Sequence, residues 1–143
     1  MTQPSNRERP EPAHFLPHGF GAAVWRGLRG RCPRCGAAPL FARWLKPLPS
    51  CAACGQDWSH QRADDFPAYI AILLTGHLLA PVIIMLVSDF DLSPGVLAAI
   101  LLPLAVGLML GMLQPAKGGV IALQWWHGLH GFQRERAFRP QSD

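Results

Sequence analysis

Residues 66–87, FPAYIAILLTGHLLAPVIIMLV, form an uncharged stretch that is apolar nearly throughout. As a helix it is about 33 Å long, enough to cross a bilayer core of about 30 Å. A second uncharged stretch, residues 96–113, reads VLAAILLPLAVGLMLGML. With flanking residues it supplies a return crossing, so the spans are expected at about 66–87 and 94–114. The connection between them, SDFDLSPG, is short and holds two aspartates and no base. A two-helix transmembrane hairpin is therefore predicted over 63–116.

Charge agrees with that architecture. All 13 Lys and Arg lie outside residues 63–116, and the net charge is +4. Bases on both arms and none in the turn place both termini in the cytoplasm under the positive-inside rule. A nucleic-acid binder carries its bases along one soluble face instead, so nucleic acid is disfavoured as a partner. Residues 1–21 lack an apolar core and are rich in proline, so they read as a disordered leader and not as an export signal. Residues 22–31, AAVWRGLRGR, alternate apolar and basic residues; they suit a short helix or a strand that forms a basic collar at the headgroups.

The four cysteines stand as two tight pairs, Cys32 and Cys35 in CPRCG and Cys51 and Cys54 in CAACG. Matched CxxC pairs at this separation are the pattern of a four-thiolate metal site. A glycine after each second cysteine lets the turn close on the ion. Residues 22–62 are thus predicted to be a zinc-ribbon head. Its intervening segment PLFARWLKPLPS should form two short strands, with Phe41, Trp44, Leu45, Leu48 and Trp58 as a small core. Zinc is the expected metal and iron the competitor. A closed tetrahedral shell leaves no place for a reacting water, so the cysteines are expected to be structural and the chain not to be an enzyme. A cytoplasmic head sits in a reducing compartment, which also argues against disulfides.

Several further residues invite a role. His77 falls near the middle of the first span, where an ionisable group is costly. Pro81, four residues on, leaves the His77 carbonyl without its helical N–H partner. His77 can hydrogen-bond across the hairpin or, with Met109 or Met112, hold copper or haem. Gly107 and Gly111 form a GxxxG pair that can pack helices, most simply against the first span, with a homodimer as the runner-up. Asp64 and Asp65 precede Pro67 and can cap the first helix. Pro115, Gly118 and Gly119 are expected to end the second helix. Residues 117–143 then make an interfacial segment and basic tail, with Trp125 and Trp126 as interfacial anchors.

The order of parts resembles the bacterial membrane family catalogued as domain of unknown function 983. The matching residues are the two knuckles, Asp64-Asp65 with Pro67-Ala68, Gly76-His77, Pro81, Pro103, and Pro115-Ala116-Lys117-Gly118 through Ala122-Leu123-Gln124-Trp125. The resemblance implies location in the bacterial cytoplasmic membrane. Members often occur beside genes for haem-copper oxidase subunits, which implies a membrane-anchored accessory protein supporting assembly or stability of that oxidase. The alternative is a membrane metal or haem handling protein that uses His77. The partners expected are the lipid bilayer and a haem-copper oxidase or its assembly factors.

Overall fold

The computed structural model describes residues 16–132. The expected leader through residue 15 and the tail from residue 133 lie outside the described residues. The chain is small and mostly helical, with two long apolar helices, a short two-stranded sheet and a four-cysteine cluster toward its N-terminal end.

Helix α1 spans Phe20–Leu28. It ends because Gly30 takes a left-handed conformation (φ 70°). The Gly30 N–H then donates to the Gly27 carbonyl and the Arg31 N–H to the Arg26 carbonyl, both at 2.9 Å. That pair of bonds satisfies two carbonyls of the last turn and turns the chain into the first knuckle. The basic, Trp-bearing segment is therefore a helix, not a strand. Strands β1 (Phe41–Arg43) and β2 (Lys46–Pro47) pair antiparallel. Leu45, at φ 61°, makes the reversal between them.

Helix α2 runs Phe66–Asp89 and α3 runs Pro94–His127. Both are long and apolar enough to cross a membrane. On α2 the buried residues are Pro67, Ala71, Thr75 and Leu79. Their four-residue spacing makes one stripe, which faces α3. The Asp64 and Asp65 caps are not formed. Asp65 holds the N-cap position in a helical conformation, from which its side chain makes no capping bond, and Asp64 sits at φ 39°. The Phe66 N–H finds the Ala63 carbonyl instead (3.1 Å).

The larger departure is α3. It does not end at Pro115 or Gly118-Gly119 but continues unbroken for 34 residues, about 50 Å. The glycines are helical because another helix crosses there. A Cβ placed on Gly118 would lie 1.9 Å from the Gly27 carbonyl oxygen, and one on Gly27 would lie 2.4 Å from the Gly118 oxygen. Two backbones in direct contact tolerate no side chain, so the pair fixes where α1 lies on α3. Phe20 meets Trp126 and His127 at the other end of α1, with ring centroids 6.1 and 5.6 Å apart. Helix α1 therefore runs antiparallel to the last third of α3.

That last third is the scaffold of the head. Ala23 of α1, Leu40 and Trp58 of the ribbon, Ile121 and Trp125 of α3, and Phe132 form one buried cluster with Cys32, Cys35 and Cys51. Trp125 is 1% exposed and packs edge-on against Trp58, itself 1% exposed, at 6.1 Å. The expectation that Trp125 anchors at the membrane surface is thus corrected. Its indole fills the ribbon core, because the helix that carries it extends past the apolar stretch. Trp126 is half-buried and stacks against Phe20 and Trp125. Trp44 is corrected in the opposite sense. It sits at the β1–β2 turn and is 56% exposed, leaving the small core to Leu40, Phe41 and Trp58.

Candidate metal centre

Each knuckle is built by backbone hydrogen bonds that the sequence makes possible. In the first, the Gly36 N–H donates to the Cys32 carbonyl (2.7 Å) and the Cys32 N–H to the Ala38 carbonyl (2.9 Å). In the second, the Gly55 N–H donates to the Cys51 carbonyl and the Cys51 N–H to the Gln56 carbonyl, both at 2.9 Å. Gly36 and Gly55 take φ values of 69° and 72°, a left-handed turn that glycine enters without steric cost. Bridges between Arg31 and Pro39 and between Ser50 and Asp57 close the two loops.

The knuckles bring Cys32, Cys35, Cys51 and Cys54 together, with all four Sγ atoms within 4.8 Å of one another. Cys32 and Cys54 lie 3.8 Å apart and Cys35 and Cys51 3.7 Å. A tetrahedron with zinc–sulfur bonds of about 2.3 Å has sulfur–sulfur edges of about 3.8 Å. The donor set and its spacing therefore fit a tetrahedral ion. The four sequence-predicted cysteines converge, and among the described residues no fifth candidate joins them: His60 is exposed, and its Nε2 lies 3.6 Å from Asp57 Oδ2.

The surroundings act on the thiols in both directions. Burial pushes the Cys32 thiol above the usual thiol range and does the same to Cys54, where the Gln56 backbone and Arg34 act against it. Burial also acts on Cys35, but the N–H groups of Ala37 and Ala38, with the neighbouring thiols, outweigh it and bring the group down to about 7. Four thiolates around a divalent ion carry two net negative charges. Arg34, only 7% exposed, donates to the Cys54 carbonyl at 3.1 Å. Arg26 of α1 donates in turn to the Arg34 carbonyl at 2.9 Å. The two guanidinium groups tie the knuckles to each other and to α1, and they would partly offset that charge.

Two side chains hold the centre to the long helices, and their roles were invisible in the sequence. Gln124 of α3 accepts from the Arg62 N–H at 3.1 Å and donates its amide to the Arg62 carbonyl. Lys117 donates its Nζ to the Leu45 carbonyl at the β1–β2 turn, at 2.8 Å. No local pattern signals either role, because the partners lie 62 and 72 positions away.

The other candidates stand apart from this centre. His77 is exposed on α2, away from the Thr75–Leu79 stripe, and its Nδ1–H donates to the Leu73 carbonyl of its own helix (2.8 Å). It faces outward because residues 75 and 79, each two positions away, turn toward α3. A ligand set across the hairpin is therefore not assembled around it. Gly107 and Gly111 are also exposed, and a Cβ on either would meet no atom within 4 Å. Packing of this pair against α2 is thus corrected: the half-buried and buried positions of α3 fall on its other side.

A family model described as "Protein of unknown function (DUF983)" matches residues 41–125. The match takes in the second knuckle, both long helices through Trp125, and the Lys117 and Gln124 tethers; Cys32 and Cys35 lie before it. No curated protein and no solved structure matches.

Proposed function

The chain belongs to the DUF983 family, and we propose that it is a membrane-anchored, non-enzymatic accessory protein whose zinc-bearing head docks a membrane protein complex. The observation that carries this reading is the shared core. Trp125 and Ile121 of α3 pack with Trp58 and Leu40 of the ribbon and Ala23 of α1, so the head is not a flexible appendage. A helix that is apolar over 96–113 enters the metal-bearing module directly. Such a module holds a fixed distance and orientation relative to the bilayer, which suits presentation of a docking face.

In this reading Cys32, Cys35, Cys51 and Cys54 hold one zinc ion, which supplies folding energy and no chemistry. The hairpin lies in the bacterial cytoplasmic membrane with both termini in the cytoplasm, an orientation that the absence of Lys and Arg from residues 63–116 supports. The partner to test first is a haem-copper oxidase or its assembly intermediate. Affinity purification from native membranes in mild detergent, with metal analysis of the same eluate, tests the proposal. Oxidase subunits or assembly factors co-purifying near stoichiometry with one zinc per chain are the expected result. A chain that emerges alone, or one that carries haem or copper in place of zinc, contradicts it.

A further inference from the structure

Two separate elements bring a tryptophan and basic side chains to one level of α3. On α1, Trp25 is 55% exposed and Arg29 stacks over its ring at 4.4 Å. At the β1–β2 turn, Trp44 is 56% exposed, and Arg43 and Lys46 are cross-strand partners. The height of each is fixed by its contact with α3. Gly30, at the end of α1, lies beside Gln114 (3.8 Å from its built Cβ to Nε2). The β1–β2 turn is held by Lys117 through the Leu45 carbonyl.

Gln114 is the first polar residue after the apolar run 96–113. It stands about 20 residues from the start of α3, hence about 30 Å along the helix, the thickness of a bilayer core. Lys117 is about 4.5 Å further on. Tyr69, counted back along α2 from the same turn, reaches the same height and is exposed. Arg29 and the β1–β2 turn therefore stand where the apolar surface of the hairpin gives way to water, and Trp25, about one helical turn along α1, stands in the headgroup layer just beyond it.

We infer that Trp25, Leu28 and Arg29 of α1, with Arg43, Trp44 and Lys46 of the β-turn, form a docking surface for anionic phospholipid headgroups. This rests on the membrane location proposed above. Indole rings favour the headgroup region, and bases there attract anionic lipid. Residues 13–56 contain six Lys and Arg and no Asp or Glu; Arg26 and Arg34 are engaged at the knuckles, which leaves Arg29, Arg31, Arg43 and Lys46 as the basic groups of this side, with Asp64 and Asp65 before α2 as the acids at the same height. Arg43 and Lys46 also face one another across the strands. Like charges so placed repel, and a phosphate bridging them relieves the repulsion. Trp25 and Trp44 thus take the anchoring role that sequence reading assigns to Trp125 and Trp126.

The test uses the full chain reconstituted in vesicles of phosphatidylcholine with or without phosphatidylglycerol, some brominated near the glycerol end of the acyl chains. No tryptophan lies within residues 66–113, so quenching of tryptophan emission reports on the head alone. Brominated lipid should quench the wild type, and the Trp25→Phe/Trp44→Phe variant should lose most of that quenching. Phosphatidylglycerol should raise the thermal midpoint of the wild type above its value in phosphatidylcholine, and Arg29→Gln/Arg43→Gln/Lys46→Gln should abolish the difference. A chain that floats with the vesicles but is quenched equally in wild type and double variant overturns this inference alone. A chain that is stripped from the vesicles by carbonate overturns the membrane location itself. Salt-sensitive binding of a single-stranded RNA oligonucleotide that the vesicles do not displace overturns the lipid assignment.

Discussion

At the residue scale, the four cysteines and Gln124 do different kinds of work. On the proposed reading the cysteines hold zinc and so close a module too small to hold itself by burial alone, since metal binding and folding are coupled in modules of this kind. Replacing Cys32 and Cys35 by serine should abolish stoichiometric zinc in the purified protein, as measured by elemental analysis. Retention of one zinc per chain would contradict a four-thiolate site. Burial raises Cys32 and Cys54, so these thiols hold their protons at neutral pH until an ion displaces them. Metal uptake should therefore release protons, and zinc affinity should fall as pH falls through the neutral range; titration at several pH values checks the slope. Gln124 is 6% exposed and satisfies both backbone groups of Arg62. Gln124→Ala should cost about 1–3 kcal/mol of head stability by leaving those groups unpaired, seen as a lower denaturation midpoint. The clustering of the four cysteines was legible because CxxC spacing is local. The Gln124 clamp was not, because a hydrogen bond across 62 positions leaves no local pattern.

At the element scale, glycine pairs divide into those that meet a backbone and those that meet none. The local motif, Gly107 with Gly111, points into open space. The operative pair, Gly27 with Gly118, joins two helices and has no motif in either. Gly118→Ala should therefore push α1 off α3, at a cost of at least about 1–3 kcal/mol for an overpacked contact. Gly107→Ala should leave hairpin and head stability unchanged within about 0.5 kcal/mol. Thermal melts of both variants in one detergent make the comparison, and equal shifts would contradict the assigned crossing. The same geometry explains the continuity of α3. Pro115 and Gly118-Gly119 read as a stop under intrinsic propensity, yet the docked head buries Ala116, Gly118, Val120, Ile121 and Ala122. Tertiary burial overrides propensity, and the helix expected to end at the membrane surface becomes the spine of the head. The two long apolar helices were legible over their uncharged stretches from length and the lack of charge alone, since nothing outside each stretch is needed to recognise it.

At the scale of the whole molecule, one core joins the cysteine cluster, the ribbon and the helix α3 of the hairpin. If the ion holds the ribbon and the ribbon covers Trp125, then removing the ion should open the core without melting α2 or the apolar part of α3. These helices draw on their own backbone bonds and on lipid or detergent. The most direct measurement is metal content and tryptophan emission of the full chain in mild detergent, before and after a strong zinc chelator, with helicity followed by circular dichroism. One zinc per chain, a red shift of emission as Trp58 and Trp125 reach water, largely retained helicity, and recovery when zinc is restored are the predicted results. A head that keeps its blue-shifted emission with the metal gone, or a chain purified without metal and already folded, would contradict the account.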